Sequence, residues 1–303
     1  MGTPLFDAHC DTAFETLRKG EGFRENTGHN DLVRGSAFFP RAQVFAIYDK
    51  GGGIREKYRR QIEHIKAELS INSDIISLCT SGSDIGSAVA AGKQAALISV
   101  EGAELLGCSP EGLIEAYGEG VRIVNLTWNF ENRLSGSNAE GKDKGLTKDG
   151  IEFVKLCGNL GVTIDLSHIS DPGFWDVLEY AEGPVIASHS NSRTVFAHPR
   201  NLTDDMFKAL VERGSAAGIN LYSDFLGEDP DIDTVISHIE HFLELGGEKS
   251  VGIGADFDGC DKLPRGIEGI QDMGKLYDSL LGRGFTQSVA DDIFFNNFMR
   301  IFI

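Results

Sequence analysis

An α/β fold, a single (β/α)8 TIM barrel, follows from three features of the chain. Eight short apolar, β-branched runs recur along it, amphipathic helical patterns separate them, and ligand-type side chains gather at the C-terminal ends of the runs. The runs are residues 4–9, 43–48, 95–101, 121–127, 162–167, 184–189, 216–222 and 251–256. Strands alternating with helices are parallel strands joined by crossovers, and eight such units close a barrel.

The helical patterns are equally readable. Residues 54–70 carry apolar side chains at helical spacing in a charged background, and 147–160 set Ile151, Val154 and Leu156 on one broad face. Thr203 is a fitting N-cap for a helix over 204–213, and 233–245 alternates apolar and charged faces with a period near 3.6. Gly252 and Gly254 suit a strand closing a tight barrel, where small inward residues leave room beneath a site. They are not a dinucleotide fingerprint. Residues 135–144 read as a polar surface loop. The irregular stretch from the 20s to Phe39 is long enough to fold over the barrel mouth.

A length of 303 residues exceeds the roughly 250 typical of one barrel but stays within its range, and one domain over 1–303 is expected. Hydrophobic content of 41% and charged content of 24% belong to a globular protein with a real core. An excess of 46 acidic over 28 basic residues repels phosphate backbones and anionic lipid, so neither nucleic acid nor membrane is an expected partner. The N-terminal residues lack a signal-peptide pattern and no apolar run is long enough to span a bilayer. Five scattered cysteines without C-x-x-C spacing point to a reducing compartment, and the expected location is cytoplasmic.

Position carries the functional reading. Barrel enzymes do chemistry at the C-terminal ends of their strands. There the sequence puts His9 and Asp11 (first strand), Glu101 (third), His168 (after the fifth), His189 (sixth) and Asp256 (eighth). Residues i and i+2 of an extended segment share a face, so His9 and Asp11 are expected to converge on one ion. Imidazole and carboxylate donors suit Zn²⁺ and other divalent first-row metals. Glu101 ends an apolar strand and needs compensation for its buried charge. Ser167-His168 and Ser188-His189 repeat one pattern on neighbouring strands. Five ligands exceed one tetrahedral zinc; with Glu101 bridging, His9 and Asp11 serve one ion and His168 and His189 another. Asp256 is then the candidate proton carrier, whereas Asp258 fits a loop cap better. Arg200 could clamp a carboxylate. His29 lies in the irregular stretch, and His64, His238 and His241 fall on solvated helix faces.

In order along the chain, Asp7-Ala-His-Cys-Asp-Thr, Ser99-Val-Glu-Gly, Asp165-Leu-Ser-His, Ala187-Ser-His-Ser, Arg200-Asn and Gly254-Ala-Asp-Phe-Asp-Gly resemble the membrane (renal) dipeptidase family, metallopeptidase family M19, in its bacterial form. The likeness runs from about residue 5 to the closing segment Asn296-Asn-Phe-Met-Arg-Ile-Phe. The resemblance implies a barrel of the metal-dependent amidohydrolase type holding two zinc ions. His9, Asp11 and Glu101 match the ligands of one, and Glu101, His168 and His189 those of the other. It further implies that Arg200 binds the substrate's C-terminal carboxylate and that Asp256 passes a proton to the leaving amine. The implied substrates are dipeptides, including those with a D-residue second.

One departure stands out. Animal members carry a histidine after strand four that stabilises the oxyanion; here Val124-Asn-Leu-Thr-Trp-Asn puts Trp128 there, with Asn129 next to it. The expected activity is hydrolysis of a dipeptide by a hydroxide bridging the two ions, with Tyr222 near the end of strand seven assisting Arg200. Two rivals remain: another binuclear-metal hydrolase of a cyclic amide, lactone or N-acyl amino acid, and a barrel that binds metal without turnover. Oligomeric state is left open, a homodimer being allowed.

Overall fold

The computed structural model of the protein describes residues 2–302. Nine strands, all parallel, form one sheet: β1 (Leu5–Cys10), β2 (Arg41–Ile47), β3 (Ile76–Leu78), β4 (Gln94–Glu101), β5 (Val121–Asn125), β6 (Thr163–Asp165), β7 (Val185–Ala187), β8 (Ala216–Ile219) and β9 (Val251–Ile253). β1 pairs with both β2 and β9, and β2 with β4, so eight strands close a ring: β1, β2 and β4 to β9. The sequence-predicted barrel is thus present, with helices on its outside. β3 is the strand that pattern reading missed. It is only three residues long and lies beside Gln94–Ala96, on the edge of β4 that β5 takes over from Ile98 onward.

Several strands end earlier than expected. β6 and β7 stop at Asp165 and Ala187, and β9 at Ile253. Apolar pattern cannot see where a ladder stops and a loop begins, so the ligand-type residues lie mostly in short turns beyond the strand ends. In the helix over Lys148–Leu160, the buried face is Gly150, Phe153, Val154 and Cys157, with Ile151 and Leu156 only partly covered. Thr203 caps the helix Asp204–Glu212, its hydroxyl accepting from the Met206 N–H at 3.2 Å.

The barrel interior is filled from below. Phe6, Ala42, Val44, Leu97, Ile123, Ile186 and Ala216 pack there with Phe295 and Phe298 of the closing segment. Phe6 stacks on Phe298 at 5.6 Å and on Phe302 at 5.7 Å. Gly252 is what admits this plug, since a Cβ there would sit 2.3 Å from the Phe298 ring. A filled floor leaves only the opposite, C-terminal end of the barrel open for chemistry.

The stretch before β2 reaches from the catalytic end of the barrel to the start of β2. It is pinned at one end by His29, whose N–H donates to Asp258 Oδ1 at 2.6 Å, and near the other by the fully buried Arg41. The Arg41 guanidinium donates to Asn30 Oδ1 and Gln94 Oε1, both at 2.6 Å. Contrary to expectation, residues 135–144 are not wholly on the surface. Leu134–Asn138 are buried, with Ser137 bridged to Ile169 and its hydroxyl donating to the Asn129 carbonyl at 2.9 Å. Polarity alone did not reveal that these hydroxyls and amides find internal partners.

Candidate active site and metal centre

His9 reaches the interior by a register shift. Leu5 and Asp7 pair with Arg41 and Gln43, yet Cys10 pairs with Phe45, so the ladder slips by one residue between Asp7 and Cys10. That bulge turns His9 to the opposite side from Asp7, into the barrel. Asp7 holds the distortion, its Oδ1 accepting from the Ala255 N–H at 2.8 Å and the His9 N–H at 3.4 Å. Asp11 does not continue the extended strand (φ −97°, ψ 20°); it opens the helix Thr12–Lys19. Convergence of His9 and Asp11 therefore comes from bulge and turn, not from the two-residue periodicity of a strand. Glu101 is the last residue of β4. His168 (φ 73°) and Asp256 (φ 59°) adopt left-handed backbone, which costs a side-chain-bearing residue roughly 1–3 kcal/mol and persists only where the surroundings impose it.

The five expected ligands and Asp256 come together. His9 Nε2 lies 3.7 Å from both Asp11 Oδ1 and Glu101 Oε1, and 3.9 Å from Asp256 Oδ1. Glu101 Oε1 is 2.8 Å from His168 Nε2 and 3.4 Å from His189 Nε2, and the two histidine nitrogens are 3.0 Å apart. Glu101, His168 and His189 form one set of donors able to hold a cation; His9, Asp11 and Asp256 form another. His189 is held from behind by Ser188 Oγ at 2.6 Å from Nδ1, and His168 by Asn129 Oδ1 at 2.9 Å from Nδ1.

These groups are almost entirely buried, and burial sets their charge. It lowers the His9 pKa to about 3 and drives His168 and His189 well below the ordinary histidine range, so all three rings are neutral and offer lone pairs. It raises Asp11 and Glu101 well above the carboxylate range and lifts Asp256 to about 7, with Arg200 opposing the rise at Asp256. Neutral imidazoles beside carboxylates that resist ionisation form a donor set lacking a positive charge at its centre. His9 Nδ1 and Nε2 and Asp11 Oδ1 are buried without any hydrogen-bond partner. Orphaned donors of this kind are costly unless a cation takes them, so the residues fit bound metal.

Above the cluster lies a cavity of about 110 Å³, lined among others by Tyr48, Trp128, Asn129, Arg200, Tyr222 and Phe225. Arg200 is buried, all three of its side-chain nitrogens lack partners, and its guanidinium stands 5.3 Å from the Phe225 ring centroid. A buried, unpartnered guanidinium facing a cavity is a receptor for an anion. Trp128 packs between Tyr48 (4.7 Å between ring centroids) and His168 (6.3 Å). Asp256 Oδ2 accepts from Asn220 Nδ2 at 3.0 Å.

Sequence reasoning passed over Tyr48, Asn220, Phe225 and Asp165. Tyr48 and Asn220 sit at or just beyond strand ends, the address that found the ligands. Asp165 is a carboxylate in an apolar strand, the same signal that drew attention to Glu101. His238, expected on a solvated face, is fully buried. Its Nδ1 accepts from the Ser192 N–H at 3.1 Å and its Nε2 donates to the Leu226 carbonyl at 3.0 Å. It ties the loop that carries Arg200 to the short helix Ser223–Leu226. His64 and His241 are likewise half-buried, bonded to Thr16 at 2.9 Å and Asp204 at 2.8 Å.

Cation donors at a barrel's open end, with an anion receptor above them, are what a metal-dependent hydrolase of small charged substrates requires, and fold and site point to that class. The chain belongs to the membrane dipeptidase family, peptidase family M19, whose model matches residues 1–303. It is 30% identical over 255 residues to an uncharacterized protein from the pqqA 5′ region of Klebsiella pneumoniae, covering 80% of this chain and 93% of that one. The solved structure of dipeptidase AC, a family M19 metallopeptidase, superposes with a TM-score of 0.90 at 25% identity, covering 100% of this chain and 98% of that one. A metallopeptidase from Rhodobacter sphaeroides, liganded with a phosphinate mimic of the dipeptide L-Ala-D-Ala, shares the fold (TM-score 0.90, 24% identity, 100% and 99% coverage). The protein is thus a dipeptidase-type metallopeptidase acting on small peptides. Among the described residues no helix is long and apolar enough to cross a membrane.

Proposed function

We propose that the chain, one catalytic domain over 1–303, is a zinc-dependent dipeptidase that cleaves the single peptide bond of dipeptides, L-Xaa-D-Xaa pairs among them. The observation that carries this reading is Arg200, a buried guanidinium with no partner of its own beside a metal-binding cluster. A free carboxylate one residue from the scissile bond is the ligand that completes it, and gripping that carboxylate limits the enzyme to very short substrates. The Rhodobacter relative's ligand, a mimic of L-Ala-D-Ala, supports tolerance of a D-residue at the second position.

Two zinc ions would fit the donor set: His9 and Asp11, with Glu101 3.7 Å from His9, would hold one, and Glu101, His168 and His189 would hold the other. When bound, they supply hydroxide at neutral pH and polarise the scissile carbonyl. Asp256, beside the metal donors with Asn220 Nδ2 on its Oδ2, would take a proton from water and return it to the leaving amine. Tyr222, which lines the same cavity as Arg200, would assist it in holding the carboxylate, and Trp128 and Asn129 line that cavity as well. Five free cysteines, all buried, support a reducing, cytoplasmic setting.

A dipeptide panel including L-Xaa-D-Xaa pairs, run on metal-free and zinc-loaded protein, tests the reading. Activity restored by zinc and confined to substrates with a free C-terminal carboxylate is expected. Equal turnover with and without metal would overturn it. Zinc-dependent hydrolysis of lactones or cyclic amides, indifferent to Arg200→Ala, would instead mark a hydrolase of that other kind.

A further inference from the structure

Both histidines of the Glu101 side of the cluster are anchored through Nδ1, and the anchor of His189 is a relay. Asp165 is 1% exposed, and its Oδ1 accepts from the Ser167 and Ser188 N–H groups, each at 2.9 Å. Its Oδ2 accepts a short hydrogen bond from the Ser188 hydroxyl. Because that hydroxyl proton is directed at Asp165, Ser188 Oγ faces His189 Nδ1 (2.6 Å) with a lone pair. With Asp165 ionised, the ring then carries its proton on Nδ1 and turns a bare Nε2 toward Glu101. Asn129 Oδ1 does the same for His168 at 2.9 Å. His9 has no such support, since both of its ring nitrogens lack partners.

We propose that Asp165 and Ser188 are positioning residues that fix the tautomer and aim of His189, and that with Asn129 they make the Glu101/His168/His189 position the tighter of the two metal sites, filled before the His9/Asp11 position. This rests on the two-ion reading above. The physical reason is preorganisation. A ligand ring already held in its coordinating orientation loses little freedom on binding, and a carboxylate behind it strengthens its basicity. His9 is packed against the His189 ring at 3.9 Å between centroids but has no hydrogen bond that fixes its tautomer. Asp165 also lies within ligand distance of His9 and His189, and the serine between its carboxylate and the His189 ring gives it a supporting part beside the donors.

Zinc titration of metal-free protein against a competing chelator reads two dissociation constants. Wild type is expected to fill in two steps. His9→Ala should keep the tight ion and lose the weak one. In that background Ser188→Ala should weaken the remaining ion 10- to 100-fold, and Ser188→Thr, which keeps the hydroxyl, should restore most of it. Asp165→Asn serves as a second probe of the relay, with far-UV circular dichroism checking that each variant is folded. A folded Ser188→Ala protein with both constants within twofold of wild type would overturn the relay, as would loss of the tight ion in His9→Ala. Binding of fewer than two ions by wild type would instead refute the two-ion reading itself.

Discussion

Replacing Arg200 by methionine should make the zinc-loaded enzyme more stable and far less active. The side chain is buried with every nitrogen unsatisfied, and burial pulls its pKa down despite the nearby Asp256, Glu101 and Asp165 carboxylates. Once metal ions neutralise those carboxylates, nothing compensates the guanidinium until substrate arrives. Removing a buried, unsatisfied polar group recovers about 1–3 kcal/mol, which for a chain of this size is a rise of roughly 2–5 °C in Tm. In the complex the same guanidinium holds the substrate carboxylate, and truncating one partner of a buried charge pair costs about 2–5 kcal/mol. That loss lowers kcat/KM roughly 30- to 5,000-fold. The assay compares a dipeptide with its C-terminal amide on both enzymes. Wild type should discriminate strongly and Arg200→Met hardly at all. Equal losses on the two substrates, or an unchanged kcat/KM, would refute the assignment of Arg200 as carboxylate receptor.

Three further outcomes are expected. Asp256→Asn should lower kcat by about 10²–10⁴-fold while zinc content, measured by elemental analysis, stays at the wild-type level. His238, whose pKa burial lowers from 6.5 to about 4, bonds Ser192 only when neutral. Its stabilisation is complete above about pH 6.5 and is lost as pH falls through 4, so the advantage of wild type over His238→Gln in urea unfolding should shrink by about 3 kcal/mol across that window. Gly254→Ala would put a Cβ 1.7 Å from the Ser188 carbonyl oxygen, a backbone contact that cannot swing aside. A drop in Tm equivalent to at least about 1–3 kcal/mol is expected, whereas an unchanged Tm would mean that β9 can shift.

The cluster of charges shows why acidic composition by itself had little to say about function. The net charge of −18 is spread over the whole chain, while chemistry depends on the few carboxylates that folding removes from water. Asp11, Glu101, Asp165 and Asp256 are buried, and burial is the largest cause moving each of them upward in pKa, with neighbouring carboxylates adding to it at Asp11 and Glu101.

The eight barrel strands, the helix pattern and the address of each ligand near a strand's end were legible in the sequence because apolar period and chain order are local properties, whereas the three-residue β3 was too short to read. Those addresses led to His9, Asp11, Glu101, His168, His189 and Asp256, and the fold brings all six together. What only tertiary structure decided is how they are aimed. The register slip beyond Asp7 turns His9 inward, left-handed backbone turns His168 and Asp256, and Ser188 and Asn129 fix two rings. The orienting contacts depend on partners distant in the chain: Ala255 for Asp7, Asp165 for Ser188 and Asn129 for His168. A hydrogen bond between residues far apart in sequence leaves no periodic trace, so the sequence determined which groups meet and the closed barrel determined their orientation and charge.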